Sequence, residues 1–301
     1  MNETENLQNL PVVRGEYKFN EALKNYTWLN VGGPADVMFM PKDVADLQYF
    51  LQNKDENMPV FVLGGGSNLL VRDGGIEGVV VKLSDACFRE IKIESDRIIC
   101  GAGLLNNVLK KTVENEGLGG LEFLCSIPGC VGGAVRSNAG CFGREISDVL
   151  ISAKVVNGNG EVLELRNKDF HFAYRHSEFP SDFIIVEVTL GYERQSSEDV
   201  KKTIEQQAEY RKAHQPQGIR TAGSTFKNPP QMRAWELIKN SGADKLKIGG
   251  AQMSLQHCNF LQNDGTSNAS DIEDLCDEVK RMVKDKCGVE LELEVNKVGR
   301  R

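Results

Sequence analysis

Short apolar runs separated by turns dominate the first two-thirds of the chain. Residues 59–63 (PVFVL) and 78–83 (GVVVKL) are aliphatic, β-branched runs too short for helices, so the pattern predicts buried strands. Arg72-Asp73-Gly74-Gly75 lies between them and reads as a turn. Upstream, Val44, Leu47, Phe50 and Leu51 recur at helical spacing after Lys42-Asp43, which predicts a helix with one apolar face. Residues 104–116 read as a second helix, stopped by Gly117. Residues 149–156, 161–165 and 183–190 read as antiparallel strands, with Gly158-Asn159-Gly160 as a hairpin turn.

The charged, serine-containing stretch 193–198 reads as a domain boundary. Beyond it, residues 200–212 are helical in pattern and lead into a loop with Pro and Gly. Ser270-Asp271-Ile272-Glu273 has the form of a capping box. The helix it would open carries Ile272, Leu275, Val279, Met282 and Val283 on one stripe, and residues 289–295 then alternate like a strand. No internal repeat or low-complexity segment interrupts this order. The expected class is α+β with mixed sheets.

Composition narrows the reading. The 301 residues, 40% hydrophobic and 26% charged, suit a globular protein of two or three compact units. A net charge of −7 argues against a nucleic-acid partner, which needs a basic face. No apolar run approaches the roughly 20 residues of a membrane span. The opening MNETENLQNLPVV is acidic and polar, unlike a secretory leader. Eight cysteines at irregular spacings then point to reduced thiols in a cytoplasm. Cys125, Cys130 and Cys141 match no zinc or iron–sulfur spacing, so no metal is expected and they read as small hydrophobes.

Candidate chemistry begins with glycine. Residues 127–143 (IPGCVGGAVRSNAGCFG) hold five glycines and a proline, a poor interior for a helix or strand. Such backbone reads as closely approaching something flat or phosphorylated, with peptide N–H groups as donors. A second cluster, Gly64-Gly65-Gly66-Ser67-Asn68, lies upstream. Leu69 stands where a dinucleotide fingerprint needs glycine, and no P-loop signature is present. Either cluster alone could be a tight turn. Together they predict a large bound cofactor.

PVFVLGGGSNLLVRDGG followed by GLEFLCSIPGCVGGAVRSNAG resembles the FAD-binding region of the UDP-N-acetylenolpyruvoylglucosamine reductase (MurB) family. The resemblance continues through FAYRHSEF at 172–179, AGSTFKNP at 222–229, IGGAQMSLQHCNFLQN at 248–263 and the terminal LELEVNKVG, in order over nearly the whole chain. The short connection between Tyr174-Arg175 and Gly223-Ser224 is similar to the subtype that lacks an inserted substrate-covering loop.

The resemblance implies a PCMH-type FAD-binding fold over 1–196, with α/β subdomains of about 1–75 and 76–196, and a C-terminal α+β substrate domain over 197–301. It implies a cytoplasmic enzyme that uses NADPH and noncovalent FAD to reduce the enolpyruvyl ether of a UDP-sugar to UDP-N-acetylmuramate, for peptidoglycan synthesis. The implied partner is this small nucleotide sugar, with no nucleic acid, membrane or obligate protein partner. Hydride addition at the β-carbon leaves charge at the α-carbon and carboxylate, so the protein must stabilise that charge and deliver a proton.

By resemblance, Ser224 is the proton donor, Arg175 the arginine that holds the carboxylate and Glu294 the active-site glutamate. From the residues alone each has a plainer reading. Ser224 could simply serve a turn. Arg175 could sit on the surface beside Glu178. Glu294 alternates with Glu290 and Glu292 on what would be a solvated strand face. Flavin contacts are implied at Gly64, Gly65, Gly66, Ser67, Asn68 and Leu69, and at Pro128, Gly129, Gly132, Gly133, Ala134, Asn138, Ala139 and Gly140, with Cys130 inside the same loop. Tyr174, Lys227 and Asn228 are implied substrate neighbours, the last two at the diphosphate.

No histidine precedes His171, which excludes a histidyl–flavin bond at either glycine cluster and leaves a cysteinyl bond at Cys130 open. Asn30, His214, Asp244-Lys245 and Arg136-Ser137 depart from the family's usual residues. Two other readings keep the glycine clusters: an FAD oxidase of an alcohol or sugar on the same fold, and a nucleotide-sugar or flavin binding protein without turnover.

Overall fold

The computed structural model describes residues 10–301, so the first nine residues of the segment read as no leader lie outside the described residues. The chain forms two compact units. Among the described residues, one comprises 10–19, 37–65 and 78–209, and the other 20–36, 66–77 and 210–301. Residues 20–36 and 66–77 therefore belong by contact with the C-terminal unit, whereas a division read along the sequence is linear.

Strands Val60–Val62 and Ile76–Val81 pair in parallel, Val60 opposite Val79 and Val62 opposite Val81. They belong to a four-stranded sheet with Pro34–Met40 and Glu16–Ala22. Helix Val44–Asn53 starts where the Asp43 carboxylate accepts from the Asp46 N–H, an N-cap. It buries Leu47, Phe50 and Leu51, and the Phe50 ring lies 4.7 Å from that of Phe39.

A five-stranded antiparallel sheet follows in the order Val162–Arg166, Leu150–Val156, Ile184–Gly191, Arg97–Gly101, Ile91–Ile93. The Asn157 N–H donates to the Glu161 carbonyl at 3.0 Å and Gly160 N–H, at φ of 78°, donates to the Asn157 carbonyl at 2.9 Å, so Gly158-Asn159-Gly160 forms the expected turn. Helix Asn106–Glu116 ends at Gly117, whose φ of 64° is the left-handed cap that glycine adopts without penalty.

The glycine-rich segment departs from expectation, because helix Val131–Arg136 (VGGAVR) forms inside it. The Val131 and Gly132 N–H groups donate to Leu104 and Ala102 carbonyls at 2.9 Å, and a Cβ on Gly132 would lie 2.8 Å from the Ala102 Cβ. Close packing here outweighs the weak helix propensity of glycine.

In the second unit, helix Ala269–Cys287 buries Ile272, Leu275, Val279 and Val283 completely. It packs on helix Ala234–Ser241 and on strands Lys247–Ile248 and Ala251–Met253, which form an antiparallel sheet with Leu261–Asn263. Its capping box is Asn268 with Asp271, two residues before the Ser270-based box that the sequence suggested. Ser270 instead donates through Oγ to Asp73 at 2.7 Å.

The strand expected at 289–295 is absent. Lys227 N–H donates to the Glu292 carbonyl and Glu294 N–H to the Thr225 carbonyl, leaving one isolated bridge, Phe226 to Leu293. The chain then changes partners, and Asn296–Val298 pairs in parallel with Leu69–Val71. Two short pairings on different neighbours replace one continuous strand.

Candidate active site

The glycine clusters are shaped by exclusion of side chains. A Cβ on Gly65 would lie 2.6 Å from the Gly129 Cα, and one on Gly64 would lie 3.0 Å from the Cys130 Sγ. The Lys82 ammonium donates to the Gly64 carbonyl. Among the described residues no protein acceptor meets the N–H groups of Gly64, Gly65, Gly129 or Cys130. Farther along the first cluster, the Gly66 and Asn68 N–H groups are also without one. Gly66 has φ of 64°, and a Cβ there would collide with the Tyr26 carbonyl oxygen at 1.9 Å. Open backbone donors on loops too tight for side chains fit a diphosphate-bearing cofactor such as FAD, whose phosphates require donors at short range.

Residues 172–179 are stitched to the end of the second glycine cluster. Buried Asn138, at φ of 43°, donates through Nδ2 to the Ala173 carbonyl at 3.0 Å and accepts from Ser147 N–H. Arg175, at φ of 55°, donates to the Gly140 carbonyl at 2.7 Å and lies 5.0 Å from the Tyr174 ring centroid. Ser177 Oγ donates to the Arg136 carbonyl at 2.6 Å, while the Arg136 guanidinium covers the Phe179 ring at 4.4 Å. Left-handed backbone at a non-glycine residue is strained, and here the surrounding bonds hold it. Arg175 is thereby placed against the same backbone that carries the cofactor-loop candidates Asn138, Ala139 and Gly140.

In the second unit the segment Gly223-Ser224-Thr225-Phe226 lies between two backbone neighbours. On one side, Thr225 N–H donates to the Asn259 carbonyl at 2.7 Å and Leu261 N–H to Thr225 Oγ1 at 3.0 Å. The buried Asn259 side chain accepts from Phe226 N–H at 3.0 Å and donates to the Phe226 carbonyl at 2.9 Å. On the other side, Glu294 N–H donates to the Thr225 carbonyl at 2.9 Å. The half-buried Ser224 hydroxyl has no protein partner among the described residues, so it is available to a ligand. Glu290 and Glu292 are exposed while Glu294 is half-buried. The three glutamates therefore do not share one solvated face.

Both implied diphosphate neighbours also have protein work. Lys227 pairs with Glu292 at 2.6 Å. Asn228 accepts from Ala234 N–H at 3.0 Å at the start of helix Ala234–Ser241, which leaves its amide N–H groups unused.

The chain is similar to known proteins over nearly its whole length. The family model described as UDP-N-acetylenolpyruvoylglucosamine reductase, C-terminal domain, matches residues 215–298, and the FAD binding domain model matches 35–166. The chain is 43% identical over 293 residues to the UDP-N-acetylenolpyruvoylglucosamine reductase of Parvibaculum lavamentivorans, covering 97% of this chain and 94% of that protein. It is 40% identical over 291 residues to that of Rickettsia conorii, covering 97% and 98%. The crystal structure of the Thermus caldophilus enzyme superposes with a TM-score of 0.82 at 34% identity, covering 95% of this chain and 99% of that one.

The chain belongs to the UDP-N-acetylenolpyruvoylglucosamine reductase family. Of the residues the sequence singled out, Ser224 and Glu294 lie on backbone segments bonded to each other, and Arg175 lies beside Gly140. The positions that depart from the family's usual residues are built into local structure. Asn30, at φ of 54°, donates to the Lys24 carbonyl, and His214 stacks on Tyr210 at 4.1 Å. Asp244 and Lys245 fall in the short turn Ala243–Lys245.

Two residues of the site escaped sequence reading. Asn259 gives no local signal, because its role depends on a segment 33 residues away. Lys82 ends an apolar run, the one available hint, and burial pushes its ammonium below the usual lysine range. Burial likewise raises the Cys125 thiol to about 12, which keeps it protonated and unreactive.

Proposed function

We propose that the protein is a flavoenzyme of peptidoglycan precursor synthesis. It reduces UDP-N-acetylenolpyruvoylglucosamine to UDP-N-acetylmuramate with NADPH as reductant. The chemistry supplied by bound FAD is transfer of a hydride equivalent from NADPH to the enolpyruvyl β-carbon. Noncovalent binding is supported by the open N–H groups of Gly64, Gly65 and Gly129, which offer the cofactor hydrogen bonds.

The protein's own groups complete the reaction. Ser224 Oγ–H donates the proton that the substrate α-carbon takes up, a task for a weak acid held against a strongly basic carbon. Arg175 binds the carboxylate on which charge accumulates, using its planar fork. Glu294 polarises the same enolpyruvyl group. Tyr174 contributes to the substrate surface, and Lys227 and the free amide of Asn228 face the diphosphate. Residues 1–196, in subdomains of about 1–75 and 76–196, serve the cofactor, and 197–301 the substrate. The compartment is the cytoplasm, a reading supported by eight free cysteines.

One observation carries the assignment of roles: a Ser224 hydroxyl without a partner among the described residues, on a segment whose Thr225 carbonyl accepts from Glu294 N–H. Anaerobic stopped-flow spectroscopy tests the whole reading. Purified protein is expected to be yellow, to bleach with NADPH and to recover its colour with the enolpyruvyl substrate. Colourless protein that FAD cannot reconstitute would contradict it.

A further inference from the structure

Lys82 follows the strand Ile76–Val81 and carries an ammonium that no described residue pairs with a carboxylate. Among the described residues its side-chain acceptor is the Gly64 carbonyl. The neighbours that act on its charge are the Cys130 sulfur, which favours it, and a second cation, Arg89, which opposes it, and neither is a carboxylate. A half-buried cation left in this state is unfavourable, and an anion nearby would relieve it.

The acceptor matters as much as the charge. A peptide unit is planar and trans, so its carbonyl and its N–H point in opposite directions. By holding the Gly64 carbonyl, Lys82 turns the Gly65 N–H the other way. That N–H is one of the open donors of the loop, at the place where Gly65 meets Gly129. Glycine has little resistance to peptide rotation, so without this bond the Gly64-Gly65 unit could flip and present a carbonyl oxygen instead.

We infer that Lys82 is a positioning residue of the cofactor loop, orienting the Gly64-Gly65 peptide toward a diphosphate whose charge balances its own. This inference rests on the reading of that loop as the FAD site.

The test is titration of apoprotein with FAD, followed by flavin fluorescence at two salt concentrations. Lys82→Met should weaken FAD binding by about tenfold or more, the order expected for a lost charge-assisted bond. Lys82→Arg, which keeps donor and charge, should stay within about threefold of the wild type. Wild-type affinity should fall with added salt more steeply than that of Lys82→Met. The melting temperature of the apoprotein should be unchanged while its rise on adding FAD shrinks.

Wild-type affinity in Lys82→Met would overturn the inference, as would equal weakening in Lys82→Arg or parallel salt dependence. Should Lys82→Met fail to fold, Lys82→Gln takes its place: it keeps a donor without charge, and wild-type affinity with wild-type salt dependence in that variant would be equally fatal. Wild-type apoprotein that binds no FAD would instead sink the reading on which the inference stands.

Discussion

The side-chain amide of Asn68 donates to the backbone carbonyl of Glu294 at 2.9 Å, and Asn296 N–H returns a bond to the Asn68 carbonyl at 3.1 Å. The residue that ends the first glycine cluster therefore sets the position of the backbone bearing the glutamate. Asn68→Asp keeps the shape, removes the donor and sets a negative charge against the Glu294 carbonyl. In this variant NADPH should still bleach the flavin, while recovery with the enolpyruvyl substrate slows by about tenfold. Equal slowing of both half-reactions would show that Asn68 acts on the cofactor alone.

Ser224→Ala should leave reduction by NADPH intact and slow substrate reduction by about a hundredfold or more, the contribution of a positioned proton donor. The Ser224 hydroxyl has no protein partner among the described residues, so the melting temperature should hold. A variant that turns over normally would remove serine from the mechanism.

Asn259 makes two side-chain bonds to Phe226, and both residues are buried. Asn259→Ala strands a buried N–H and a buried carbonyl at once, which should cost on the order of 2–4 kcal/mol. Urea unfolding measures the loss. Because the same bonds flank Ser224, the substrate half-reaction should suffer more than the NADPH half-reaction.

Glu273 is buried and receives Arg72, Lys297 and Arg301 on its carboxylate. Hydrogen bonding from Arg72, followed by the two other cations, holds its pKa down at about 2, from 4.5 for an ordinary glutamate. A depressed folded-state pKa means stability present above about pH 4.5 and lost as pH falls toward 2. The linkage amounts to roughly 3 kcal/mol. Glu273→Gln should lower stability at pH 7 and flatten the acid side of the stability profile. An unchanged profile in urea titrations between pH 3 and 7 would mean that the cluster contributes nothing (a range chosen to cross most of the transition).

Where neighbouring residues decide the outcome, the chain was readable. Helix Val44–Asn53, the Gly117 stop and the antiparallel strands of the first unit follow from periodicity and turn chemistry. The glycine clusters likewise announced themselves, since only backbone without side chains can approach itself as Gly65 approaches Gly129. Local rules failed where distant contacts set the energy. Packing on Ala102 made a helix of Val131–Arg136 despite two glycines, and the expected strand at 289–295 gave way to bonds with residues 225–227 and a short strand beyond it, Asn296–Val298 on Leu69–Val71.

The site divides along the same line. Motifs named Ser224, Arg175 and Glu294, and the family's order of segments made the reaction legible. Tertiary structure alone brought Asn259 to Phe226, Lys82 to Gly64 and Asn68 to Glu294. The reason is physical. Periodicity records how a segment buries its own side chains, whereas each of these bonds joins a side chain to the backbone of a segment far along the chain, and only folding brings that acceptor within reach.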